Sequence, residues 1–201
     1  MKKRGNFLLK FFVVKLIISI IFILAINLNN SLNTSATNVN NIKEKERTKE
    51  EILVSYKEYN DYDVLKKDSK VLVEYYKDRA KDVLKATNKY RNKENKNELK
   101  LDDNLSRVAT IRAMEIALNN KFSHKRPNGT YYSEIFEDMK IVTLTSGENI
   151  ASGQLDGNEV CKAWSKSKGH YANMINESYN KLGVGIYTYN NTIYWVQIFS
   201  N

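Results

Sequence analysis

The C-terminal end of the chain sets the strongest constraint on the fold. Leu182-Gly183-Val184-Gly185-Ile186-Tyr187-Thr188-Tyr189 and Thr192-Ile193-Tyr194-Trp195-Val196-Gln197-Ile198-Phe199 flank Asn190-Asn191. An Asn-Asn pair tolerates the positive φ of a tight type I′ turn, so the segment predicts a β-hairpin. Successive side chains of a strand point to opposite faces. Ile193, Trp195 and Phe199 therefore need cover on one side, and Tyr194, Val196 and Ile198 on the other. Helices above and below such a sheet make an α+β protein, a three-layer α-β-α sandwich around a small, mainly antiparallel sheet.

The helices to provide that cover precede the hairpin. Val83, Leu84, Thr87 and Tyr90 fall on one helical face. Leu99 and Leu101 then lead through Asp102-Asp103 into a second helix with Leu105, Val108, Ala109, Ala113, Ile116 and Ala117 at three- and four-residue spacing. Asp103 is the expected N-cap. Alanines four apart form a narrow ridge that lets another element approach closely. A third helix is expected from Gly157 to Lys168, closed by Gly169 as a left-handed C-cap.

The N-terminal third has another character. Residues 1–36 begin Met-Lys-Lys-Arg and carry an apolar run from Leu16 to Ile26 broken only by Ser19. Thr34-Ser35-Ala36 offers a small-residue cleavage pattern. The run falls short of the roughly 20 apolar residues a spanning helix needs. This reads as a signal peptide or an N-terminal anchor, with cleavage favoured, and it puts the rest of the chain outside the cell in either case. Residues 37–79 form a polar tether with marginal helix, and residues 80–201 the folded domain. Of the 32 Lys and Arg, five lie in residues 1–36 without any acid, so 27 face all 23 acidic residues in the remainder, a balance of only +4. Those cations alternate with acids as on a solvated helix face, and no nucleic-acid module accompanies them. The expected partner is an extracellular or cell-envelope ligand, with no nucleic acid, and with a membrane only through an uncleaved N-terminal segment.

The two histidines stand at structural punctuation. His124 closes the second helix just before Pro127 and Asn128-Gly129, and His170 follows Gly169. Between them Ser146-Gly147-Glu148-Asn149-Ile150-Ala151 has no basic neighbour, so a buried Glu148 needs a partner from elsewhere. An imidazole suits: a carboxylate on one ring nitrogen sets the tautomer and leaves the other free to bind or to move a proton. Glu134, ten residues after His124, is a fourth candidate. Ser123 makes a poor nucleophile for His124, because adjacent helical residues point about 100° apart, and a bond from its hydroxyl to the helix backbone is the simpler role. Cys161, Trp164 and Trp195 are expected to pack in the core.

Phe122-Ser123-His124, Gly147-Glu148-Asn149-Ile150-Ala151, Trp164 with Ser167, Gly169-His170, Leu182-Gly183-Val184-Gly185 and Tyr194–Phe199 resemble, in order and spacing, the successive signatures of the CAP superfamily: cysteine-rich secretory proteins, antigen 5 and pathogenesis-related proteins, which share the SCP-like extracellular domain. Asn88 with Arg91, and Leu99 with Leu105, resemble its first helix and the lead into the second. The resemblance spans roughly residues 80–201. It implies the α-β-α sandwich and a cleft lined by His124, Glu134, Glu148 and His170, with a divalent metal bound by His124 and His170 in several relatives. The single cysteine fits a bacterial member without disulfides, and the Lys/Asn/Ile-rich composition fits an AT-rich genome. The expected function is that of an exported binding module at the cell surface, with a weak, exchangeable Zn2+ as the cofactor. Two imidazoles supply half of a tetrahedral shell, so water would complete it. No catalytic residue is assigned. A metal-assisted or general-base hydrolase of peptide or cell-wall material is the alternative from the enzyme class, and surface or spore-envelope assembly the structural one.

Overall fold

The computed structural model describes residues 62–201. The expected signal or anchor, and the tether as far as residue 61, lie outside the described residues. The elements run α1 (Tyr62–Tyr75), α2 (Lys77–Lys93), β1 (Lys100–Leu101), α3 (Asp103–Leu118), α4 (Glu134–Asp138), β2 (Ser146–Ser152), α5 (Gly157–Ser165), α6 (Lys168–Ile175), β3 (Lys181–Tyr189) and β4 (Thr192–Ser200). The sheet order is β1-β3-β4-β2. The β3–β4 hairpin pairs from Lys181↔Ser200 to Tyr189↔Thr192, and Asn190 and Asn191 take φ values of 47° and 60° in its turn. β2 lies antiparallel to β4 and β1 parallel to β3. The α-β-α sandwich expected from the two-sided hairpin is present. α3 and α1 pack on one side, α2, α5 and α6 on the other. Among the described residues, no helix is long and apolar enough to cross a membrane.

The alanine ridge has a definite counterpart. A Cβ added at Gly183 would run into the Leu105 main chain, and one at Gly185 into that of Ala109. The second and fourth residues of the Leu-Gly-Val-Gly run are thus where helix and sheet backbones meet, and Trp195, Val196, Ile198 and Phe199 close the interior without solvent contact. Cys161 and Trp164 are core residues, as expected. Burial pushes the Cys161 thiol up to about 12.

Local expectations differ from the structure at four points. The N-cap of α3 is Asp102, whose side chain accepts from the Leu105 amide at 2.9 Å, not Asp103. α3 ends at Leu118 rather than at His124, because Asn120 enters the left-handed region (φ 48°) and the Lys121 amide bonds back to the Ile116 carbonyl. Asparagine tolerates that conformation and ends helices by it. Gly169 has no positive φ. It is the second residue of α6, which begins after α5 has stopped at Ser165, so His170 lies in the first turn of a helix and not beyond one. Finally, the tether segment read as marginal helix forms α1 over Tyr62–Tyr75, burying Leu65 and Leu72, and α2 starts at Lys77 rather than near Ala80. Apolar residues spaced on one face make a stable helix when a neighbour covers them, and α3 covers these.

Arg91 and Asn88 are structural fasteners. Both ends of the Asn88 amide pair with the Leu99 main chain. The buried Arg91 guanidinium donates to the carbonyls of Asn97, Met174, Asn176 and Tyr179. Together they join α2 to β1 and to the end of α6.

Candidate functional site

His124 is held by a short hairpin. The Lys125↔Tyr131 bridge, the Arg126 amide on the Thr130 carbonyl and the Tyr132 amide on the His124 carbonyl close a turn around Pro127 and Gly129 (φ 90°). The turn expected after His124 is therefore present, although His124 stands in a loop and not at the end of α3. Its Nδ1 lies 2.8 Å from Glu148 Oε1. The side chain keeps 50% exposure, whereas the Glu148 carboxylate has none.

Glu148 has the partner its burial demands, and a second that the sequence reading missed. Arg112 Nε donates to Glu148 Oε2 at 2.9 Å, Arg112 Nη1 to Glu115 Oε2 at 2.7 Å, and Arg112 Nη2 to the Ser123 carbonyl at 2.6 Å. Arg126 Nε then donates to Glu115 Oε1, and its Nη1 to Asp138 Oδ2. Charges thus alternate along His124–Glu148–Arg112–Glu115–Arg126–Asp138. The available signal was an Arg and a Glu three residues apart in a helix of otherwise mostly apolar and small residues, where neither can be buried without a counter-charge.

The other layer holds His170. Asn149, next to Glu148 on β2, donates to the His170 carbonyl at 3.0 Å and to Gln197 Oε1 at 3.1 Å. Asn173 donates to Asn149 Oδ1 and to the Glu148 carbonyl. Because alternate residues of a strand face opposite ways, Glu148 reaches the α3 layer while Asn149 reaches α6. β2 is an edge strand, so His124 and His170 approach the same edge from opposite layers.

The two rings respond to their surroundings in opposite directions. The hydrogen bond with Glu148 raises His124 above its ordinary value, against the effect of burial, and the Glu148 charge adds to the rise. Burial lowers His170, and the charge of His124 lowers it further. Of the two rings, His170 is the one whose surroundings favour the neutral imidazole.

Glu134 opens α4 in an exposed position. It lines a separate groove of about 660 Å³ with Glu137, Lys140, Val142 and Leu144, and no hydrogen bond or ion pair joins it to Glu148 or to either imidazole. Among the described residues, no group of three or more His, Cys, Asp or Glu side chains is arranged to hold a metal ion. The Ser123 hydroxyl accepts from the Lys125 amide at 3.1 Å in the loop, not from a helix as expected.

Residues 84–199 match the family described as the cysteine-rich secretory protein family, CAP. The chain belongs to the CAP family. It is 38% identical over 122 residues to YkwD of Bacillus subtilis, an uncharacterized protein, covering 59% of this chain and 46% of that one. An extracellular SCP-domain protein from Bacillus anthracis shares the fold with a TM-score of 0.58 at 26% identity, over 72% of this chain and 45% of its own. An outer surface protein of Borrelia burgdorferi matches with a TM-score of 0.58 at 27% identity, over 63% of this chain and 94% of its own. The chain spans less than half the length of the curated relatives it matches. The order Phe-Ser-His, Gly-Glu-Asn, Gly-His and Leu-Gly-Val-Gly thus belongs to a CAP domain in fact as well as in resemblance.

Proposed function

We propose that this CAP domain works on the outer side of the cell envelope as a binding module, taking its ligand at the β2 edge between His124 and His170. One observation carries the reading: the buried Arg112 and Glu148 hold the half-exposed His124 ring by Nδ1, beside the strand edge where Asn149 secures the main chain of His170. Such an arrangement orients a ring for contact with something outside the fold. The extracellular and outer-surface descriptions of its relatives support the location.

A divalent ion at this pair would take an open form and would have to displace any proton on His124 Nε2, so its binding would weaken as pH falls. His124 Nε2 and His170 would be its protein ligands and water would fill the remaining positions, since both Glu148 oxygens are engaged by Arg112 and His124. The ion would supply a Lewis-acidic point to which an anionic or carbonyl group of the ligand could bind. The same engagement of Glu148 leaves that carboxylate unsuited to act as a general base there. Calorimetric titration of the chain with zinc is the test. Saturable binding that disappears in His124→Ala/His170→Ala is expected. Equal binding by the double variant would remove the metal from the proposal.

A further inference from the structure

The outer face of α2 carries a feature that neither the fold nor the histidine site uses. Lys77, Lys81, Lys85, Lys89 and Lys93 recur every fourth residue. At 1.5 Å and 100° per residue, neighbours in the row stand roughly 6 Å apart along the axis and about 40° apart around it, so the row winds along α2 for roughly 24 Å. Like charges at this spacing repel and weaken the helix that carries them. Lys77 is answered by Glu74 and Lys81 by Asp78, but among the described residues no carboxylate pairs with Lys85 or Lys89. Lys85 and Lys89 are thus the part of the series that works against its own helix without an answering carboxylate, and there function is to be sought.

The row also borders a concavity. Lys81, Lys85, Lys89 and Lys93 line an open groove of about 840 Å³, together with Asp82, Asn92, Glu98 and Asn158. Asp82 and Glu98, the latter accepting from the Asn92 amide at 2.9 Å, bring two negative charges against the four lysines, which leaves the lining net positive. Among the described residues no aromatic ring lines the groove, so these offer no stacking platform of the kind single-stranded nucleic acid uses. Its apolar lining is Leu84 and Ala86, half-buried and buried respectively, so nothing projects that could insert into a bilayer. A linear series of cations beside a groove suits a flexible polymer bearing regularly spaced anions, which can bring successive charges to successive lysines.

From this we infer that the α2 lysine row is a docking surface for an anionic polyphosphodiester chain of the cell envelope. Neutralising the row would relieve its repulsion while releasing counterions from the polymer, so affinity falls with salt in proportion to the number of lysines engaged. The surface shares no residue with the histidine site, and zinc binding can fail without affecting it.

The test uses the full chain and a fluorescent poly(glycerol phosphate), titrated at several salt concentrations, with Lys85→Gln/Lys89→Gln set against Lys67→Gln/Lys140→Gln. All four lysines are exposed, and thermal melts confirm that both double variants fold. The expected result is at least a tenfold loss of affinity at low salt and a salt slope smaller by about two for the α2 variant, with the control close to the parent. Equal weakening of the two variants would reduce the effect to net charge and overturn the proposal. So would absence of polymer binding, or binding confined to phosphatidylglycerol vesicles.

Discussion

His124 and His170 have the same side chain, lie near the same sheet edge and are shifted in opposite directions. His124 sits on a loop against a buried, Arg112-anchored carboxylate that favours its protonated form. His170 sits in the first turn of a helix, its main chain secured by Asn149, with no carboxylate partner among the described residues, so burial and the neighbouring charge favour the neutral form. The difference shows how a fold makes unlike tools from like residues: one imidazole is oriented and charged readily, the other is left as a neutral donor of electrons.

The largest expected effect comes from removing what anchors the first ring. Arg112→Ala would leave the Glu148 and Glu115 carboxylates buried without their shared cation, and loss of one partner from a buried pair costs about 3–5 kcal/mol. Urea unfolding of the variant should register it. A loss under about 1 kcal/mol would mean that water reaches the carboxylates and that the charge chain is not what holds His124. A subtler change is Glu148→Gln, which keeps the shape but removes the charge. His124 should then titrate below its ordinary value, because burial and the Arg112 charge remain while the raising partner is gone. NMR titration of the two imidazoles follows both rings at once, and an unmoved His124 would contradict the assignment of its partner.

The smallest effect is on stability against pH. With its value raised in the fold, His124 contributes stability that is complete below about 6.5, its unfolded value, and is lost as pH rises through the folded one. With its value lowered, His170 contributes stability present above about 6.5 and lost as pH falls through the folded one. His124→Ala should therefore lower Tm more at pH near 5 than near 8. His170→Ala should fare better against the parent as the solution is acidified. Both rings are part-exposed and solvent screens them, so the shifts are a few degrees at most. Parallel pH profiles for the two variants would abolish the contrast between the rings.

Much of this organisation was legible before any coordinates. The hairpin followed from two strands apolar on both faces around Asn190-Asn191, and the sandwich followed from the need to cover them. That a buried Glu148 would need a partner, with an imidazole as the candidate, was read from a carboxylate with no basic neighbour in sequence. The points missed share one cause, which is that they depend on contacts distant in sequence. Arg112 is inconspicuous in α3 until the strand bearing Glu148 lies against it, 36 residues away. Tyr62–Tyr75 looks marginal as a helix until α3 buries Leu65 and Leu72. His170 reads as following a C-cap until Gly169 proves to be inside α6.

The amino-acid sequence alone determined the α-β-α class, the CAP signatures and an imidazole as the candidate partner of Glu148, because periodicity, turn chemistry and the cost of burying a charge act within a few residues. The tertiary structure decided that Arg112 shares Glu148, that Glu134 lines another groove, and which histidine is favoured in the charged form. Ionisation depends on burial and on charges brought within a few ångströms by folding, and no local pattern encodes those distances.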